Sequence, residues 1–291
     1  MAKLFRYTGC PILAKAVILH FYTNFHNKCN TMKPGNFILD LLRTYGQKGT
    51  SAQNLMSSSR MFNFSENLIR VTLSRLVARG LIENFERGHY RLAELSDPIT
   101  EFIEEWRLGE SRRRAWEEGS FLMVQSARPT DKEKWLLTST GFRQLRTGLW
   151  LRPDNLRRTG TLLIGWLHEL GMSDEPIIGE RLMLQKKDYG SFVDDYRINK
   201  LDQQYLDVVS RLESSTENLQ KKPTNLAMIE SFTLGGEALH LLAKDPYLPA
   251  ELQPPRNRER LWQTMLRYDE LGRSIWSPAQ GSMPASITSF G

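Results

Sequence analysis

Residues 64–92 read FSENLIRVTLSRLVARGLIENFERGHYRL, and this stretch decides the fold. Ser65 is suited to begin a helix, because its hydroxyl can accept a hydrogen bond from a free backbone N–H of the first turn. Apolar residues then recur at helical spacing, namely Ile69, Leu73, Leu76 and Val77. Gly80 stands where a left-handed residue commonly ends a helix. The stretch therefore opens with a predicted helix between Ser65 and Gly80.

A β-hairpin is predicted directly after this helix. Leu81 and Ile82 begin it, a turn falls at residues 86–88, and Tyr90 and Leu92 continue in alternation. A helix that runs directly into a small hairpin is typical of a winged helix.

Two shorter helices are predicted upstream of the stretch. The first follows Pro34 and carries the apolar residues Phe37, Ile38, Leu41 and Leu42. The second begins after two glycines, and either Thr50 or Ser51 can cap it. The order helix, turn, helix, turn, long helix and wing predicts a winged helix-turn-helix domain over residues 33–94.

The polar face of the third helix carries side chains that can read base edges in a DNA major groove. Arginine recognises guanine, asparagine recognises adenine, and valine can contact a thymine methyl group. The residues predicted to read bases are Asn67, Arg70, Val71, Ser74 and Arg75. The residues predicted to contact the DNA backbone or minor groove from the wing are Arg87, His89 and Arg91. The alternative is an ordinary amphipathic helix with a solvated face, but the helix-turn-helix order favours DNA binding.

Positive charge is concentrated on the part of the chain that has this pattern. Residues 1–92 hold 13 Lys and Arg and 4 Asp and Glu, a net charge of +9. The remaining residues hold 26 Lys and Arg and 29 Asp and Glu, a net charge of −3. Neutralisation of DNA phosphates needs a basic surface, although basic segments also serve solubility or membrane surfaces. The asymmetry therefore supports DNA binding without proving it.

Composition indicates a cytoplasmic protein of 291 residues with two or three domains. The two cysteines, Cys10 and Cys29, form no disulfide or metal-binding pattern, so no metal or cofactor is predicted. The apolar run over residues 11–21 is too short to cross a membrane, and Lys15 interrupts it as a signal peptide. Residues 1–32 are interpreted as an N-terminal extension, either native or the product of a misassigned start codon.

A connecting helix is predicted over residues 95–117. Its apolar face consists of Ile99, Phe102, Ile103 and Trp106. A short basic run follows, made of Arg112, Arg113 and Arg114. The favoured interpretation is a connecting helix with a solvated linker, and the alternative is that the arginines contact phosphates.

Residues 118–186 alternate strands and helices. The buried strand SFLMVQS precedes a helix whose start has the capping-box pair Thr130 and Glu133. Two short strands, a helix over residues 161–170 and a strand over residues 176–184 complete the order βαββαβ, which is typical of a ferredoxin-like domain. Because residues 161–170 are few and apolar, a strand is the alternative there.

The rest of the chain is predicted to be helical. Three helices are expected at about residues 190–214, 225–243 and 256–274, in a domain over residues 187–276 that serves effector binding and dimerisation. Residues 277–291 are small and polar and contain proline, which predicts a flexible tail. The predicted fold class is therefore α+β, with a winged helix, a ferredoxin-like domain and a helical domain.

Three segments resemble the phenylacetate-catabolism repressor family, the PaaX-like transcriptional regulators. The segment that begins with FILDLLRTYG and contains the phrase RVTLSRLVARGLI followed by YRL resembles the family's N-terminal domain. The stretch RPTDKEKWLLTSTGFRQLRTGLWLRP resembles its second domain, which shares its fold with small CRISPR spacer-acquisition nucleases. The segment DPYLPAELQPP (residues 245–255) resembles a signature of its C-terminal domain, although LQPPRNRERLW departs from the family pattern. The three segments span residues 37–255 in the family's order.

The resemblance implies a homodimeric, ligand-responsive transcriptional regulator, typically a repressor and not an enzyme. Such a protein binds a partly palindromic double-stranded DNA operator near genes for aromatic-compound degradation. An aryl or acyl-CoA thioester, phenylacetyl-CoA in the best-known case, releases it from DNA. In a two-fold dimer, recognition helices about 34 Å apart read the two half-sites.

An acyl-CoA effector requires cations for its phosphates and an apolar slot for its acyl group. The residues predicted to bind it are Arg143, Arg146, Arg152, Trp150 and Trp166, with Arg157 and Arg158 as further cations. The alternative for each arginine is a solvated surface charge, and for each tryptophan a core position.

Two other functions compete with that of a regulator. A metal-dependent nuclease needs a carboxylate at the end of the first strand of the ferredoxin-like domain, where Gln125 and Ser126 stand. Nuclease activity is therefore not expected, and no other catalytic motif occurs. The second alternative is a protein that binds nucleic acid non-specifically and without ligand control.

Overall fold

The computed structural model describes residues 33–93, 102, 105–158, 160–172 and 176–276. These residues form a mixed α and β structure with two antiparallel sheets and a helical C-terminal region. The predicted extension over residues 1–32, the predicted tail over residues 277–291 and most of the predicted connecting helix before Glu105 lie outside the described residues.

The first unit, residues 33–93, combines three helices with a small sheet and is termed the three-stranded unit. Its elements are α1 (Pro34–Tyr45), β1 (Thr50–Ser51), α2 (Ala52–Met61), α3 (Glu66–Ala78), β2 (Ile82–Glu86) and β3 (His89–Leu92). β3 lies between β1 and β2, and both pairings are antiparallel. The predicted helices and hairpin are therefore present, together with a short strand, β1, that was not predicted.

Serine caps fix where two of these helices begin. The Ser51 hydroxyl accepts a hydrogen bond from the Asn54 N–H at 3.1 Å, so Ser51 rather than Thr50 caps α2. The Ser65 hydroxyl accepts from the Leu68 N–H at 3.3 Å, which confirms the predicted start of α3. Each cap satisfies a backbone donor and contributes about 1 kcal/mol to helix stability.

The apolar stripe of α3 packs into the core of the unit. Ile69, Leu73 and Leu76 are at most 3% exposed. Val77 is 38% exposed, so its predicted place in the stripe is wrong. At 100° per residue, Val77 lies roughly 80° around the helix from Ile69, at the edge of the buried face. Gly80 follows the helix in the left-handed region, with φ of 65°, as predicted.

The second unit, residues 105–183, contains four strands and is termed the four-stranded unit. It opens with a 3-10 helix (Glu105–Arg112) and continues with β4 (Ser120–Gln125), α4 (Asp131–Ser139), β5 (Arg143–Arg146), β6 (Leu149–Pro153), α5 (Gly160–Glu169) and β7 (Ile177–Met183). All pairings are antiparallel, in the order β5-β6-β4-β7. Since residues 160–169 are helical, the alternative of a strand there is wrong.

Alternate residues of the four-stranded sheet pack on opposite sides. Leu122 and Trp150 share a core with residues of α4 and α5. Phe121 and Leu151 share a second core with Tyr196. Both faces of the two central strands, β4 and β6, are therefore largely buried.

The third unit, residues 186–276, is termed the helical unit. It consists of α6 (Lys186–Asp194), α7 (Ile198–Leu219), α8 (Thr224–Ala243) and α9 (Arg256–Trp276). The predicted first helix begins too early, because Arg197 adopts a left-handed conformation with φ of 50° and separates α6 from α7. Helices α7, α8 and α9 share one core. Within the described ranges, each helix is too short or too polar to span a bilayer.

The segment that leads into the four-stranded unit is buried at Trp106 and Gly109 but exposed at Leu108 and Arg114, so it is a solvated linker only in part. Its described part is a 3-10 helix interrupted at Gly109, where φ is 49°. Trp106 is only 1% exposed and packs in the core of the helical unit. A Cβ added at Gly109 would lie 2.6 Å from the Trp262 ring, so this close approach requires glycine.

Candidate nucleic-acid interface

The five side chains predicted to read bases lie together on one exposed face of α3. They are Asn67, Arg70, Val71, Ser74 and Arg75, and all five are exposed. This face lies opposite the buried stripe because the side chains of a helix advance by about 100° per residue. Leu68, which the sequence reasoning missed, is 42% exposed beside Val71 at 41%. The face thus combines hydrogen-bonding groups with two apolar side chains.

Ion pairs order the first turn of this face. Glu66 pairs with Arg60 of α2 and, at 3.9 Å, with Arg70. The hydrogen bond from Arg60 lowers the pKa of Glu66, so this carboxylate stays charged beside Arg70. The Arg70 side chain remains 64% exposed and can exchange Glu66 for another acceptor.

Ser74 differs from the other predicted base-reading residues in its hydrogen bonding. Its hydroxyl donates to the Arg70 carbonyl at 3.1 Å within the helix. The Ser74 oxygen keeps its lone pairs and can still accept a hydrogen bond from a base amino group. The Ser74 hydroxyl is therefore available to an outside group mainly as an acceptor.

The three candidate residues of the wing have different environments. Arg87 is exposed at the hairpin turn, next to Gly88 at φ of 75°. The Arg91 Nε donates to Glu83 at 2.5 Å, and its guanidinium lies 4.8 Å from the centre of the Phe85 ring. His89 is half-buried against the same ring, at 6.2 Å between centroids. Arg87 is therefore the wing cation best placed to contact a phosphate.

The candidate effector residues lie on both faces of the four-stranded sheet. Trp150, Arg152 and Trp166 are at most 5% exposed on the side of α4 and α5. The Arg143 guanidinium lies 4.7 Å from the centre of the Tyr196 ring on the other side. The Arg146 side chain is 66% exposed and pairs with Asp188 at 3.6 Å. The structure therefore does not bring these five residues together in one pocket.

Arg152 is held by backbone carbonyls inside the molecule. Its guanidinium donates to the carbonyl of Thr140 at 3.1 Å and to that of Arg158 at 2.6 Å. Burial, with added repulsion from Arg112 and Arg158, lowers the pKa of Arg152 to about 10. Arg158 in turn packs on the Trp166 ring, 4.3 Å from its centre. Arg152, Arg158 and Trp166 are thus linked by direct contacts.

A groove of about 640 Å³ lies elsewhere, between α7 and α8. Its lining includes Arg211, Ser214, Lys222 and Thr233. The candidate effector residues do not line it, and Arg211 and Lys222 are already paired with Glu237 and Glu230. The groove therefore gives no support to the predicted effector residues.

The end of β4 carries the two residues that stand where a nuclease would need a carboxylate. Gln125 is exposed and Ser126 is buried there. In the part of the chain that the structure describes, no three His, Cys, Asp or Glu side chains are grouped so that they could hold a metal ion.

Comparisons with known proteins identify a shared fold. Neither the family models nor the curated proteins include a match to this chain. Among solved structures, the chain is similar to the uncharacterized protein Rv0674 from Mycobacterium tuberculosis, with a TM-score of 0.55 and 19% sequence identity. The similarity covers 84% of this chain and 97% of that one. The likeness therefore extends through all three units and concerns the fold alone.

Proposed function

We propose that this protein binds a specific double-stranded DNA site through α3 and acts as a transcriptional regulator, a repressor of an aromatic or acyl-CoA catabolic operon. The observation that carries the proposal is the single exposed face that presents Asn67, Arg70, Val71 and Arg75. These side chains match the donor, acceptor and methyl patterns of the major groove. The resemblance to phenylacetate-catabolism repressors adds the effector class, an aryl or acyl-CoA thioester.

The element order of the three-stranded unit supports a winged helix-turn-helix domain. In this proposal, α2 and α3 form the helix-turn-helix, and the hairpin of β2 and β3 is the wing. The recognition helix of such a domain enters the major groove while phosphate contacts set its register. Exposed Arg87 at the hairpin turn and the net charge of +9 on residues 1–92 are suited to those phosphate contacts.

We propose that the four-stranded unit is a ferredoxin-like domain and that this unit, rather than the helical unit expected from the sequence, joins two copies of the chain. Support comes from its order βαββαβ and from the sheet order β5-β6-β4-β7. Among the described residues β7 pairs only with β4, which leaves its outer edge open. Ile177 and Met183 of β7 are 63% and 62% exposed, and Leu162 of the adjoining α5 is 72% exposed. An open strand edge beside apolar side chains is suited to pairing with the same strand of a second copy.

The proposed dimer contact is tested by placing a charge on the edge strand. We expect Met183→Lys to convert a dimer into a monomer, because a lysine on an edge strand opposes pairing with another strand. Size-exclusion chromatography with light scattering measures the mass. Leu226→Lys is the matched control, because Leu226 is 50% exposed on α8, and it should leave the dimer intact. A monomeric wild-type protein, or a dimeric Met183→Lys variant, would contradict the assignment.

The DNA-binding proposal is tested by a mobility-shift titration with the DNA upstream of the protein's own gene, at near-physiological salt. We expect a discrete complex that persists against excess random DNA. Specific complexes are typically about 10³-fold or more tighter than non-specific ones. Loss of the complex on addition of phenylacetyl-CoA would support the proposed effector. A complex that is insensitive to phenylacetyl-CoA would still support a regulator but would exclude this ligand as its effector.

The competing function, non-specific nucleic-acid binding, gives a different result in the same titration. Its affinity would be equal for the upstream DNA and for random DNA, because phosphate contacts carry no sequence information. Its affinity would also fall steeply as salt rises, without a discrete footprint. Equal affinities would therefore overturn the proposal in favour of this alternative.

A further inference from the structure

Two arginine-containing segments that are far apart in the sequence lie side by side at the boundary between the four-stranded and helical units. The Arg114 N–H donates to the Asn155 carbonyl at 2.8 Å, and the Arg157 N–H donates to the Arg112 carbonyl at 3.0 Å. An isolated antiparallel bridge joins Arg113 to Leu156 between these hydrogen bonds. The basic run of residues 112–114 is thereby placed against Arg157 and its neighbour Arg158.

Buried cations extend this arginine junction into the molecule. The Arg112 guanidinium lies 4.5 Å from the centre of the Tyr247 ring, and the Arg258 guanidinium lies 5.1 Å from the same ring. Arg152 is close enough to Arg112 for their repulsion to lower the pKa of Arg152. We define the arginine junction as Arg112, Arg113, Arg114, Arg152, Arg158 and Arg258.

Carboxylates compensate only part of this charge. Glu105 pairs with Arg112 and Arg158, and Glu110 pairs with Arg113 and Arg258. Asp154 pairs with Arg114 at 2.5 Å, and Asp245 lies 3.8 Å from Arg258. Six arginines therefore face four carboxylates, which leaves two positive charges in excess. Uncompensated charge in a desolvated place is costly, so the excess favours an additional anion.

Several donors of the junction also lack an acceptor. Among the described residues, Arg112 Nη1 and Arg152 Nε are buried and make no hydrogen bond, and Arg258 Nη1 makes none although Asp245 lies 3.8 Å from it. These side chains are 9%, 3% and 1% exposed, respectively. Buried donors are nearly always hydrogen-bonded in folded proteins, so three such groups in one cluster point to a missing acceptor.

We propose that the arginine junction binds a phosphate-type dianion, either free phosphate or a phosphate group carried by a small organic molecule. Such a group at neutral pH carries about 1.5 to 2 negative charges, which offset most of the excess, and its oxygens match the N–H geometry of guanidinium groups. The more exposed members, Arg158 at 33% and Arg114 at 41%, give it access from solvent. Binding here would tie residues 105–114, the end of β6 and the helical unit together. The proposal does not depend on DNA binding.

Isothermal titration calorimetry on the full-length protein, without DNA, tests the proposal with inorganic phosphate as the probe. We expect Arg112→Gln and Arg158→Gln each to weaken phosphate binding by about tenfold or more, the effect of losing a hydrogen bond to a charged group. Arg211→Gln is the matched control, because it removes one positive charge from an exposed arginine on α7. This variant should bind phosphate as tightly as the wild-type protein does. Because Arg112 is buried, its replacement can prevent folding, so near-ultraviolet circular dichroism accompanies each titration. If Arg112→Gln is unfolded, Arg158→Gln provides the test.

A second probe identifies the source of the phosphate group. If coenzyme A binds more tightly than inorganic phosphate, and Arg158→Gln weakens the binding of both by the same factor, the phosphate group is carried by an organic molecule. Inorganic phosphate that binds as tightly as coenzyme A would support the free ion. The rise in melting temperature caused by phosphate is compared with the rise caused by sodium chloride at the same ionic strength. Equal rises would overturn the proposal. Wild-type phosphate binding in a folded Arg158→Gln variant would also overturn it. Neither result would affect the mobility-shift outcome.

Discussion

Replacing Arg70 by alanine should weaken binding to the specific DNA site by about 1–3 kcal/mol, the contribution of one good contact between a side chain and a base. In a mobility-shift titration this loss corresponds to a dissociation constant raised by about 5- to 150-fold. Affinity for random DNA should fall much less, because base contacts add little to non-specific binding. The exposed Arg70 side chain has no role in the core, so thermal stability should remain at the wild-type value.

The matched control for this prediction is Arg211→Ala, which removes an exposed arginine from a helix outside the three-stranded unit. This variant should bind the specific site as wild type does. Arg87→Ala in the proposed wing offers a second comparison. Loss of a phosphate contact should weaken binding to the specific site and to random DNA about equally, and it should make the affinity less dependent on salt concentration. An Arg70→Ala variant that binds the specific site as tightly as wild type would show that α3 does not read bases.

Local sequence signals were sufficient to predict the elements that carry this site. A capping serine marks the start of α3, and a glycine in the left-handed region marks its end. Both residues act through neighbours a few positions away. The capping box of Thr130 and Glu133 likewise fixes the start of α4, since both of its reciprocal hydrogen bonds form. Because these interactions are local, residue spacing alone reveals them.

The relations that sequence did not reveal depend on contacts between distant segments. Arg112 and Arg157 are adjacent only because two segments of the four-stranded unit, far apart in the sequence, pair through backbone hydrogen bonds. Trp150 and Arg143 were grouped as one effector set, yet neighbouring strands present them to opposite faces of a sheet whose two central strands are largely buried on both sides. A single helix or strand pattern indicates which residues share a face, but only the tertiary packing determines which faces meet.

One such contact couples the three-stranded unit to the helical unit and leads to the second large expected effect. Phe37 of α1 is fully buried, and its ring lies 5.5 Å from that of Phe232 on α8. Phe62 contacts the same Phe232 ring at 5.4 Å, and Trp276 lies 5.9 Å from it. Aromatic side chains from the first and last units thus share one cluster.

Phe37→Ala should lower the free energy of unfolding by about 3–5 kcal/mol, the usual cost of truncating a buried phenylalanine. Chemical denaturation followed by fluorescence and circular dichroism measures this loss. A double-mutant cycle with Phe232→Ala should give a coupling energy of about 0.5–1.5 kcal/mol, as for other packed aromatic pairs.

The matched control cycle pairs Phe85→Ala with Phe232→Ala. Phe85 lies on the wing against His89 and outside the shared cluster, so the two losses should add without coupling. Equal coupling in both cycles would mean that Phe232 acts through general destabilisation rather than through contact with Phe37. Coupling confined to the Phe37 pair would establish a direct mechanical link between the proposed DNA-reading unit and the helical unit. A change in the helical unit could then alter the position of α3 through that link.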